Sequence, residues 1–373
     1  MKAVILQGDL NKWLTVVGRI VPNRSQLPIL SNVLIESGKE GVVLSATNLE
    51  IGIRAIAGGK TTETGAITIP ARGLGEFIGS LPAGNVSMET DGEKLKVGGG
   101  KLTATFTGIS AAEFPVISKL DSDQAGKKGF KLNKKTIEEI ATQVAFAAAG
   151  DESRPVLTGV MFETDEKKLK VTATDGFRLS RKSLDVDAEL KGLEKGLILP
   201  ARTIMEIARV VAEGKNEEVE VGMAEDSNQI IIGYEGIYLT SRVLEGNFPD
   251  VDKIIPSGGK TEILIEREEL TRAVKAVGIF ARDSSNVIRF GIEGDVLRVE
   301  ASSAQTGEGR VEVEIEKKGD DGQIAFNYRY VQDFLNSVSS DRVKFRMNDS
   351  LSPGVFELEK DESLVHLIMP VRV

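Results

Sequence analysis

The residue types that enzymes use most often for chemistry are scarce in this sequence. Its 373 residues include one histidine, His366, and no cysteine. General acid-base catalysis near neutral pH depends on imidazole, and zinc sites depend on imidazole or thiolate ligands. His366 lies in the alternating segment Leu364–Met369, where a lone imidazole is usually structural or exposed, and no Ser-His-Asp triad can be built around it. Thiol nucleophiles, disulfides and zinc-thiolate sites are excluded.

Two segments resemble ligand loops, and each lacks a required residue. Gly98–Lys101 resembles a phosphate loop, but Leu102 stands where a hydroxyl must bind magnesium. Asp121–Asp123 begins like a calcium loop, but Leu132 occupies the position of the bidentate glutamate. We therefore interpret the first segment as a turn between strands and the second as a solvated linker.

Asp250 and Asp252 are the remaining candidates for chemistry, because paired carboxylates can act as acid and base. Such a pair needs a cleft, and the neighbouring residues do not indicate one. We predict no catalytic residue, no metal site and no cofactor. The alternative, a carboxylate-dependent hydrolase acting on nucleic acid, would require a clustered acidic site.

The composition is that of a soluble globular protein, with 41% hydrophobic and 28% charged residues. The length predicts two or three domains. No apolar run is long enough to cross a bilayer, and Met1–Leu6 is too short for a signal peptide, so we expect a cytoplasmic protein without a membrane partner. The net charge of -9, taken alone, disfavours a nucleic acid partner.

Four motifs recur in the same order along the chain, which indicates an internal threefold repeat. Copies of the first motif are Pro28–Glu36, Pro155–Glu163 and Asn286–Glu293. Copies of the second, a strand ending in small polar residues, are Ala46–Asn48, Ala173–Asp175 and Ala301–Ser303. Copies of the third, a helix start, are Ile69–Arg72, Leu199–Arg202 and Phe326–Arg329. Copies of the fourth, an apolar residue followed by proline, are Phe114–Pro115, Phe248–Pro249 and Met369–Pro370.

Each copy should contain two helices and several antiparallel strands. Apolar residues at helical spacing predict the first helix of each copy. They are Leu10, Trp13, Leu14 and Val17, then Ile137, Ile140, Val144 and Ala147, then Leu270, Val274, Val277 and Phe280. Asp9 is the expected N-cap of the first of these helices. Alternating strands with glycine turns, such as Asp91–Gly92, make up most of the remainder, so the fold class is α+β with helices on one face of the sheets.

Two polar stretches, Asp121–Lys128 and Pro256–Lys260, are typical of linkers between modules. We therefore predict three modules: an N-terminal one over residues 1–124, a central one over 125–256 and a C-terminal one over 257–373.

Basic residues recur on or near the predicted helices of every copy. They are Lys12, Arg19, Arg24, Lys134, Lys135, Arg267, Arg272, Lys275 and Arg282 with the first helices, and Arg72, Arg202 and Arg329 at the start of the later ones. A single such cation is ordinarily part of a solvated face, but recurrence favours a shared basic surface. Phosphate contacts from that surface would be weak, salt-sensitive and independent of sequence, which permits sliding. A head-to-tail dimer would close six modules around a hole, and a repeat scaffold without DNA is the other alternative.

Five segments together resemble the bacterial β sliding clamp family, the processivity subunit of DNA polymerase III. They are Leu27–Leu30, Ile69–Arg72, Ala173–Leu179, Gly246–Asp250 and Met369–Val373. The resemblance covers the whole chain in order. It implies three clamp modules in each subunit of a homodimeric ring, a non-enzymatic role in tethering polymerase to duplex DNA, and four kinds of protein partner. These are a second copy of the chain, the polymerase III catalytic subunit, the clamp loader, and other polymerases and repair proteins with clamp-binding peptides.

The resemblance also implies which residues contact DNA and which join two copies. Arg24 and Arg72 correspond to DNA contacts of the family, as does the region Asp151–Val156, which departs from the family pattern at Asp151 and Pro155. Together with the recurring helix cations, the expected DNA-binding set is Lys12, Arg24, Arg72, Lys134, Arg202, Arg272 and Lys275. The residues implied at the dimer joint are Phe106 of one copy and Ile279 and Phe280 of the other, for which core burial is the alternative.

A pocket for a short glutamine- and leucine-containing peptide is implied between the central and C-terminal modules; we name it the partner pocket. It comprises Leu157, Thr174, Gly176, Phe177, Arg178, Leu179, Pro249, Lys253, Ile254, Leu367, Met369, Pro370, Val371 and Arg372. Apolar walls would supply burial energy, and a few polar groups would fix the peptide's orientation. Phe177 replaces a common histidine and Lys253 a common arginine. Plain core packing in a terminal strand is the alternative for Leu367 and Met369.

Overall fold

The structure, a computed structural model, describes residues 1–117, 129–151, 153–165, 168–186, 193, 196–224 and 228–372. The expected linker Asp121–Lys128, with the module boundary and the calcium-like segment inside it, lies outside these residues, as does Val373. The predicted module limits therefore stay a prediction. Pro256–Lys260 lies outside the helices and strands. No described helix combines the length and apolar composition that crossing a bilayer requires.

Among the described residues, six helices fall in pairs along the chain. They are α1 (Gln7–Gly18), α2 (Ala71–Ser80), α3 (Lys134–Gln143), α4 (Ala201–Ala212), α5 (Arg267–Ala281) and α6 (Tyr328–Ser337). Apolar residues at helical spacing bury one face of each first helix, as with Leu10, Leu14 and Val17 of α1. Pro70 directly precedes α2, where its fixed φ suits a helix start.

Strands make up most of the rest. The first third contains β1 (Lys2–Leu6), β2 (Asn32–Gly38), β3 (Gly41–Thr47), β4 (Ile51–Gly58), β5 (Lys60–Glu63), β6 (Gly65–Pro70), β7 (Asn85–Asp91), β8 (Lys94–Gly99) and β9 (Leu102–Thr107). The central third contains β10 (Gly129–Asn133), β11 (Gly159–Asp165), β12 (Lys168–Thr174), β13 (Arg178–Asp185), β14 (Leu197–Pro200), β15 (Glu218–Met223), β16 (Gln229–Tyr234) and β17 (Ile237–Arg242). The last third contains β18 (Thr261–Glu266), β19 (Val287–Glu293), β20 (Val296–Ser303), β21 (Gly307–Gly319), β22 (Gly322–Asn327), β23 (Arg342–Met347), β24 (Gly354–Leu358) and β25 (Leu364–Ile368). Gly92, with φ +58, turns β7 into β8 as the sequence predicts.

The chain forms two compact units. Unit 1 comprises Met1–Lys134 and Glu206–Val243, and unit 2 comprises Lys135–Met205 and Leu244–Val373. Unit 1 has a sheet in the order β5-β1-β7-β8-β9 and another in the order β10-β15-β16-β17-β4-β3-β2-β6. Unit 2 has a sheet in the order β14-β11-β12-β13-β25-β24-β23-β18-β21-β20-β19-β22. The core of unit 2 is built on Phe290, Phe326 and Phe345, whose ring centroids lie 5.6 to 5.9 Å apart in edge contacts.

One strand pair inside each unit links neighbouring thirds of the chain. In unit 1, β4 pairs antiparallel with β17, which we call the first joint. In unit 2, β13 pairs antiparallel with β25, which we call the second joint. In both joints, the last strand of one third of the chain pairs with the corresponding strand of the third before it.

A single hydrogen bond recurs in all three copies and fixes their register. The backbone N–H groups of Ile109, Leu244 and Val371 donate to the carbonyls of Thr68, Ile198 and Ala325, respectively. These acceptors stand equally far before the three helix starts. The α+β class and the threefold repeat, with two helices per copy, are confirmed.

Three details of the sequence interpretation were wrong. Helix α1 begins at Gln7 with Leu6 as its N-cap, so Asp9 is not the N-cap. Asp9 lies in the first turn, where its negative charge interacts favourably with the positive end of the helix dipole. Val144 and Ala147 lie after α3 rather than in the helix, and Ala147 belongs to a 3-10 turn. Met369 corresponds to Thr107 and Arg242 by the hydrogen-bond register, so Met369–Pro370 is not the counterpart of Phe114–Pro115.

Candidate functional site

Arginine occupies the first turn of the second helix in every copy. Arg72, Arg202 and Arg329 all lie there, and all are exposed. The Arg72 side chain is 93% exposed although its Nε lies 3.0 Å from Glu76. A cation at this end opposes the helix dipole, so local helix energetics do not account for the recurrence.

The other expected DNA contacts differ in whether their side chains already form ion pairs, hydrogen bonds or ring contacts within the protein. Arg24, Arg202 and Lys275 are exposed and have no ion pair within the described residues. Lys12 is exposed, with its Nζ 4.7 Å from the Trp13 ring centroid.

Lys134 and Arg272 are held by neighbours. Lys134 Nζ donates to the Gly214 carbonyl at 3.0 Å, and Arg272 lies about 4 Å from Glu268 and Glu269. In the expected loop 151–156, Asp151 accepts the Ser153 N–H, and hydrogen bonds from Ser153 lower the pKa of that carboxyl.

All described residues of the partner pocket belong to unit 2. Leu157, Thr174, Leu179 and Leu367 are buried, while Gly176, Phe177, Pro249, Lys253, Ile254, Met369 and Arg372 are exposed. Leu179 and Leu367 form a small apolar cluster with Val251 and Val355, against which Phe248 packs. The core interpretation therefore holds for Leu367, but Met369 is 40% exposed.

The exposed apolar rim of the pocket is formed by Phe177 in a turn, Met369 directly after the last strand β25, and Ile254 in a second turn. Phe177 is 59% exposed and its carbonyl accepts the Met369 N–H at 2.8 Å. Ile254 is also exposed. Further along, Val371 and Arg372 line a cleft of about 450 Å³ with Leu351 and Arg289.

A hydrogen-bonded turn over residues 174–178 holds Phe177 in place. The Asp175 carboxylate accepts the backbone N–H groups of Phe177 and Arg178 at 2.8 and 2.9 Å. Gly176 has φ +89, and a Cβ there would lie 3.0 Å from the Arg154 guanidinium, so both backbone and space favour glycine.

The Arg178 guanidinium lies beneath this turn and is nearly buried. Its Nε donates to Asp175 at 3.1 Å, its Nη1 to Asp333 of α6 at 2.5 Å, and its Nη2 to the Phe146 carbonyl at 2.9 Å. The Tyr330 ring centroid lies 4.7 Å from its Cζ. Asp333 and Tyr330 were not among the expected site residues, because helix α6 reaches the turn only in the folded chain.

Charged and polar groups are concentrated along the second joint. Arg181 is buried and pairs with Asp252, and this pairing lowers the pKa of the Asp252 carboxyl. Lys182, also buried, lies 3.2 Å from Glu139 and 3.3 Å from Asp361.

The lone histidine is fully buried at the same joint. His366 stacks between Phe146 and Phe334, at centroid distances of 5.4 and 5.0 Å. Burial, with the nearby charge of Arg178, lowers the pKa of His366 to about 3. The side chain is therefore a neutral structural imidazole, and the expectation of a non-catalytic role agrees with its surroundings.

The two aspartates considered as a carboxylate pair are each engaged by a different cation. Asp252 pairs with Arg181, and Asp250 lies 2.7 Å from Lys253. Among the described residues no group of three or more His, Cys, Asp or Glu side chains could hold a metal ion.

Of the three residues expected at a dimer joint, Phe106 lies on an edge strand, and Ile279 and Phe280 lie on helix α5. Phe106 is on β9, the outermost strand of its sheet, and its ring contacts Phe77 of α2 edge-on at 5.7 Å. Ile279 is 57% exposed on α5. The Phe280 ring covers Gly309 of β21, where a Cβ would lie 2.5 Å from the ring atoms.

Comparison with known proteins covers the chain from end to end. Family models of the DNA polymerase III beta subunit match residues 1–118 (N-terminal domain), 131–250 (central domain) and 252–372 (C-terminal domain). The beta sliding clamp of Synechococcus elongatus is 30% identical over 380 residues, covering 100% of both chains. That of Chlamydia muridarum is 28% identical and covers 100% of this chain and 99% of the relative.

Solved structures give the same result. The DNA polymerase III beta subunit of Thermotoga maritima superposes with a TM-score of 0.91 at 26% identity, covering 100% of this chain and 99% of that chain. The DNA polymerase sliding clamp of Pseudomonas aeruginosa, solved with a ligand, superposes with a TM-score of 0.90 at 27% identity and covers 100% of both chains.

Proposed function

Because this chain belongs to the DNA polymerase III beta subunit family, the sliding clamps, we propose that two copies close head to tail around duplex DNA and hold client proteins in the partner pocket. As a sliding clamp it is a processivity subunit without catalysis of its own, which overturns the hydrolase alternative. A closed ring retains the polymerase by topology rather than by tight contacts with DNA. The loader and other clients would use the same pocket.

The proposed dimer is supported by the repeated joint, because the counterparts of the joint strands in the first and last thirds of the chain, β9 and β21, each have an edge that is unpaired within the described residues. Strand β21 is the counterpart of β4 and β13, and β9 is the counterpart of β17 and β25. In the described part of the chain, no strand pairs with the outer edge of β9 or with that of residues 307–314 of β21. Unpaired edges invite another strand, so we infer that β21 of one copy pairs with β9 of the next as a third joint.

The first two joints predict the register of the third. Arg54 faces Tyr238 in the first, and Arg181 faces Val365 in the second. Their counterpart on β21 is Arg310, since Arg54, Arg181 and Arg310 each follow the residue that faces Ala46, Ala173 or Ala301. Thr103 lies as many residues before Ile109 as Tyr238 lies before Leu244 and Val365 before Val371. Thr103 is therefore the counterpart of Tyr238 and Val365 on β9. Arg310 should therefore face Thr103 of the second copy.

This register matches side chains of compatible character. Phe106 faces Gly307, next to the Gly309 that Phe280 covers, so the expected aromatic contact between copies follows from the pairing. Lys101, in the turn directly before β9, comes opposite Glu312 when the register is continued, and Glu312 in the single chain pairs with Arg310. Directly facing opposite charges stabilise a strand pair by roughly 0.2–1 kcal/mol.

DNA contact is supported by the arginines of the second helices. A cation in the first turn of a helix costs about 0.5 kcal/mol, so three such cations serve another purpose. Phosphate binding is that purpose in our proposal. Arg24, Arg202 and Lys275 have no ion pair within the described residues, and Arg72 is 93% exposed although it pairs with Glu76 of its own helix. Lys134 and Arg272 contribute less, because each is engaged by its own protein.

Client binding is supported by the apolar rim of the partner pocket. Phe177, Ile254 and Met369 are exposed beside the buried cluster of Leu179 and Leu367. Exposed apolar groups grouped around a few polar ones mark a binding site for an apolar peptide side chain.

A pair of cysteines tests the ring directly, since the chain has none. Thr105→Cys and Glu308→Cys, combined in one chain, face each other in the predicted register. Mild oxidation should give a covalent dimer. Oxidation in the presence of nicked circular plasmid should give a crosslinked clamp that stays on the plasmid in high salt and is released when the plasmid is linearised.

The matched control combines Thr105→Cys with Glu314→Cys, which shifts the second thiol by roughly 20 Å along the strand. It should remain uncrosslinked. Equal crosslinking of both pairs would reject the register, and equal retention on linear and circular plasmid would reject encirclement.

A further inference from the structure

We propose that Asp333 of α6 is a positioning residue of the partner pocket, acting through Arg178 on the turn that presents Phe177. The inference rests on the proposed pocket and adds a residue from another element to it. Asp333 is not among the residues that the family resemblance implies for the pocket, and its side chain is 46% exposed.

Arg178 is better placed to shape the pocket than to bind a peptide. All three of its nitrogens donate to protein acceptors, and its side chain is 11% exposed. A client peptide would have to displace one of those acceptors to reach it. The rim residues open to a ligand are Phe177 and Met369 instead.

Two carboxylates share this one guanidinium and link the turn to the helix. Asp175 holds the turn from inside by accepting its backbone N–H groups, and Asp333 fixes Arg178 from α6. Tyr330, one turn earlier on α6, supports the flat face of the guanidinium. Without Asp333, Arg178 keeps only part of its fixed geometry, and the Asp175 carboxylate loses a fixed partner.

The expected consequence is a less ordered Phe177. A side chain that must be fixed upon binding adds an entropic cost to every complex, whereas a fixed one does not. Asp333 therefore contributes to client affinity by pre-ordering the turn.

Hydrogen exchange tests the positioning without any ligand. Asp333→Ala should speed amide exchange in residues 174–179, where the Phe177 and Arg178 N–H groups are bonded to Asp175. Asn336→Ala, an exposed change on the same helix, is the matched control and should leave exchange there unchanged. Unchanged exchange in Asp333→Ala would overturn the proposal.

A double-mutant cycle with a fluorescein-labelled glutamine- and leucine-containing peptide tests the route. Asp333→Ala should weaken binding by roughly fivefold in the natural chain, but less than twofold when Phe177→Ala is already present, because coupled residues are not additive. An equal loss in both backgrounds would overturn the role of the turn. If the natural chain failed to bind the peptide, the proposed pocket would be wrong, while the exchange experiment would still decide whether Asp333 orders the turn.

Discussion

His366 and Arg178 illustrate how single side chains are used at the second joint. The imidazole serves as a flat, neutral group between Phe146 and Phe334, and neither ring nitrogen has a hydrogen-bond partner within the described residues. The guanidinium one strand away is fully engaged. Burial without hydrogen bonds penalises the charged imidazole, so this site favours the neutral form.

Replacing this histidine should alter how stability depends on pH. The folded-state pKa of His366 is lowered to about 3 from an ordinary value of 6.5, so between these values the unfolded chain binds a proton that the folded chain does not. Folding is therefore destabilised as pH falls below 6.5, by about 2 kcal/mol between pH 7 and pH 5. His366→Leu, similar in size and never charged, should lose about 2 kcal/mol less over that range in urea unfolding. Identical pH dependence in the two proteins would show that the buried imidazole does not carry this linkage.

Residue roles at this joint were only partly predictable. Sequence reasoning placed Arg178 in the partner pocket and excluded His366 from catalysis, but it did not find Asp333 or the pairing of Arg181 with Asp252. These contacts join elements far apart in the chain, and no local spacing marks them. Arg54, Arg181 and Arg310 recur at equivalent positions of the three copies, but this equivalence could be recognised only once the strand register was known.

At the scale of elements, the second helices combine a favourable start with an unfavourable charge. Pro70 precedes α2 and Pro200 precedes α4, yet Arg72 and Arg202 follow in the first turn. Local signals thus predicted the helix starts correctly. They did not predict where α3 would end, because Ala145–Ala147 forms a 3-10 turn although its residues continue the apolar spacing.

Removing two of the expected DNA contacts, Arg24 after helix α1 and Arg72 in helix α2, should change how DNA binding responds to salt. Arg24→Ala with Arg72→Ala should lower the slope of log affinity against log salt by about 2 per subunit, since each lost phosphate contact releases about one counterion fewer. Peptide binding in unit 2 should be unaffected. Fluorescence anisotropy with duplex DNA measures the slope. Lys39→Ala with Lys318→Ala, which removes two exposed cations outside the expected DNA-binding set, is the control, and an equal change there would contradict the assignment.

At the scale of the whole molecule, the acidic net charge and a DNA partner are compatible because cations are placed on particular elements. The charge of -9 is a sum over the chain, whereas phosphates would meet only the arginines and lysines on or near the helices. The threefold repeat was predictable because its motifs recur in linear order. The joints were not predictable, because the recurring Arg54, Arg181 and Arg310 do not by themselves indicate which strands pair.

Exchanging charges across the third joint should control assembly. Glu312→Lys would face Lys101 of the second copy and cost about 0.7 kcal/mol at each of two joints, which raises the dimer dissociation constant about tenfold. Adding Lys101→Glu in the same chain should restore most of the affinity, because opposite charges face each other again. Analytical ultracentrifugation measures both variants. A double variant weaker than Glu312→Lys alone would contradict the pairing.

The edge of β21 over residues 307–314, unpaired in the part of the chain that the structure describes, also affects how single copies of the chain can associate with one another. Charged side chains stand at every second position, namely Glu308, Arg310, Glu312 and Glu314. Identical strands stacked in parallel, as in a fibril, would bring glutamate against glutamate at each layer, which is repulsive. The alternating charges therefore disfavour parallel, in-register stacking of this edge between copies of the chain.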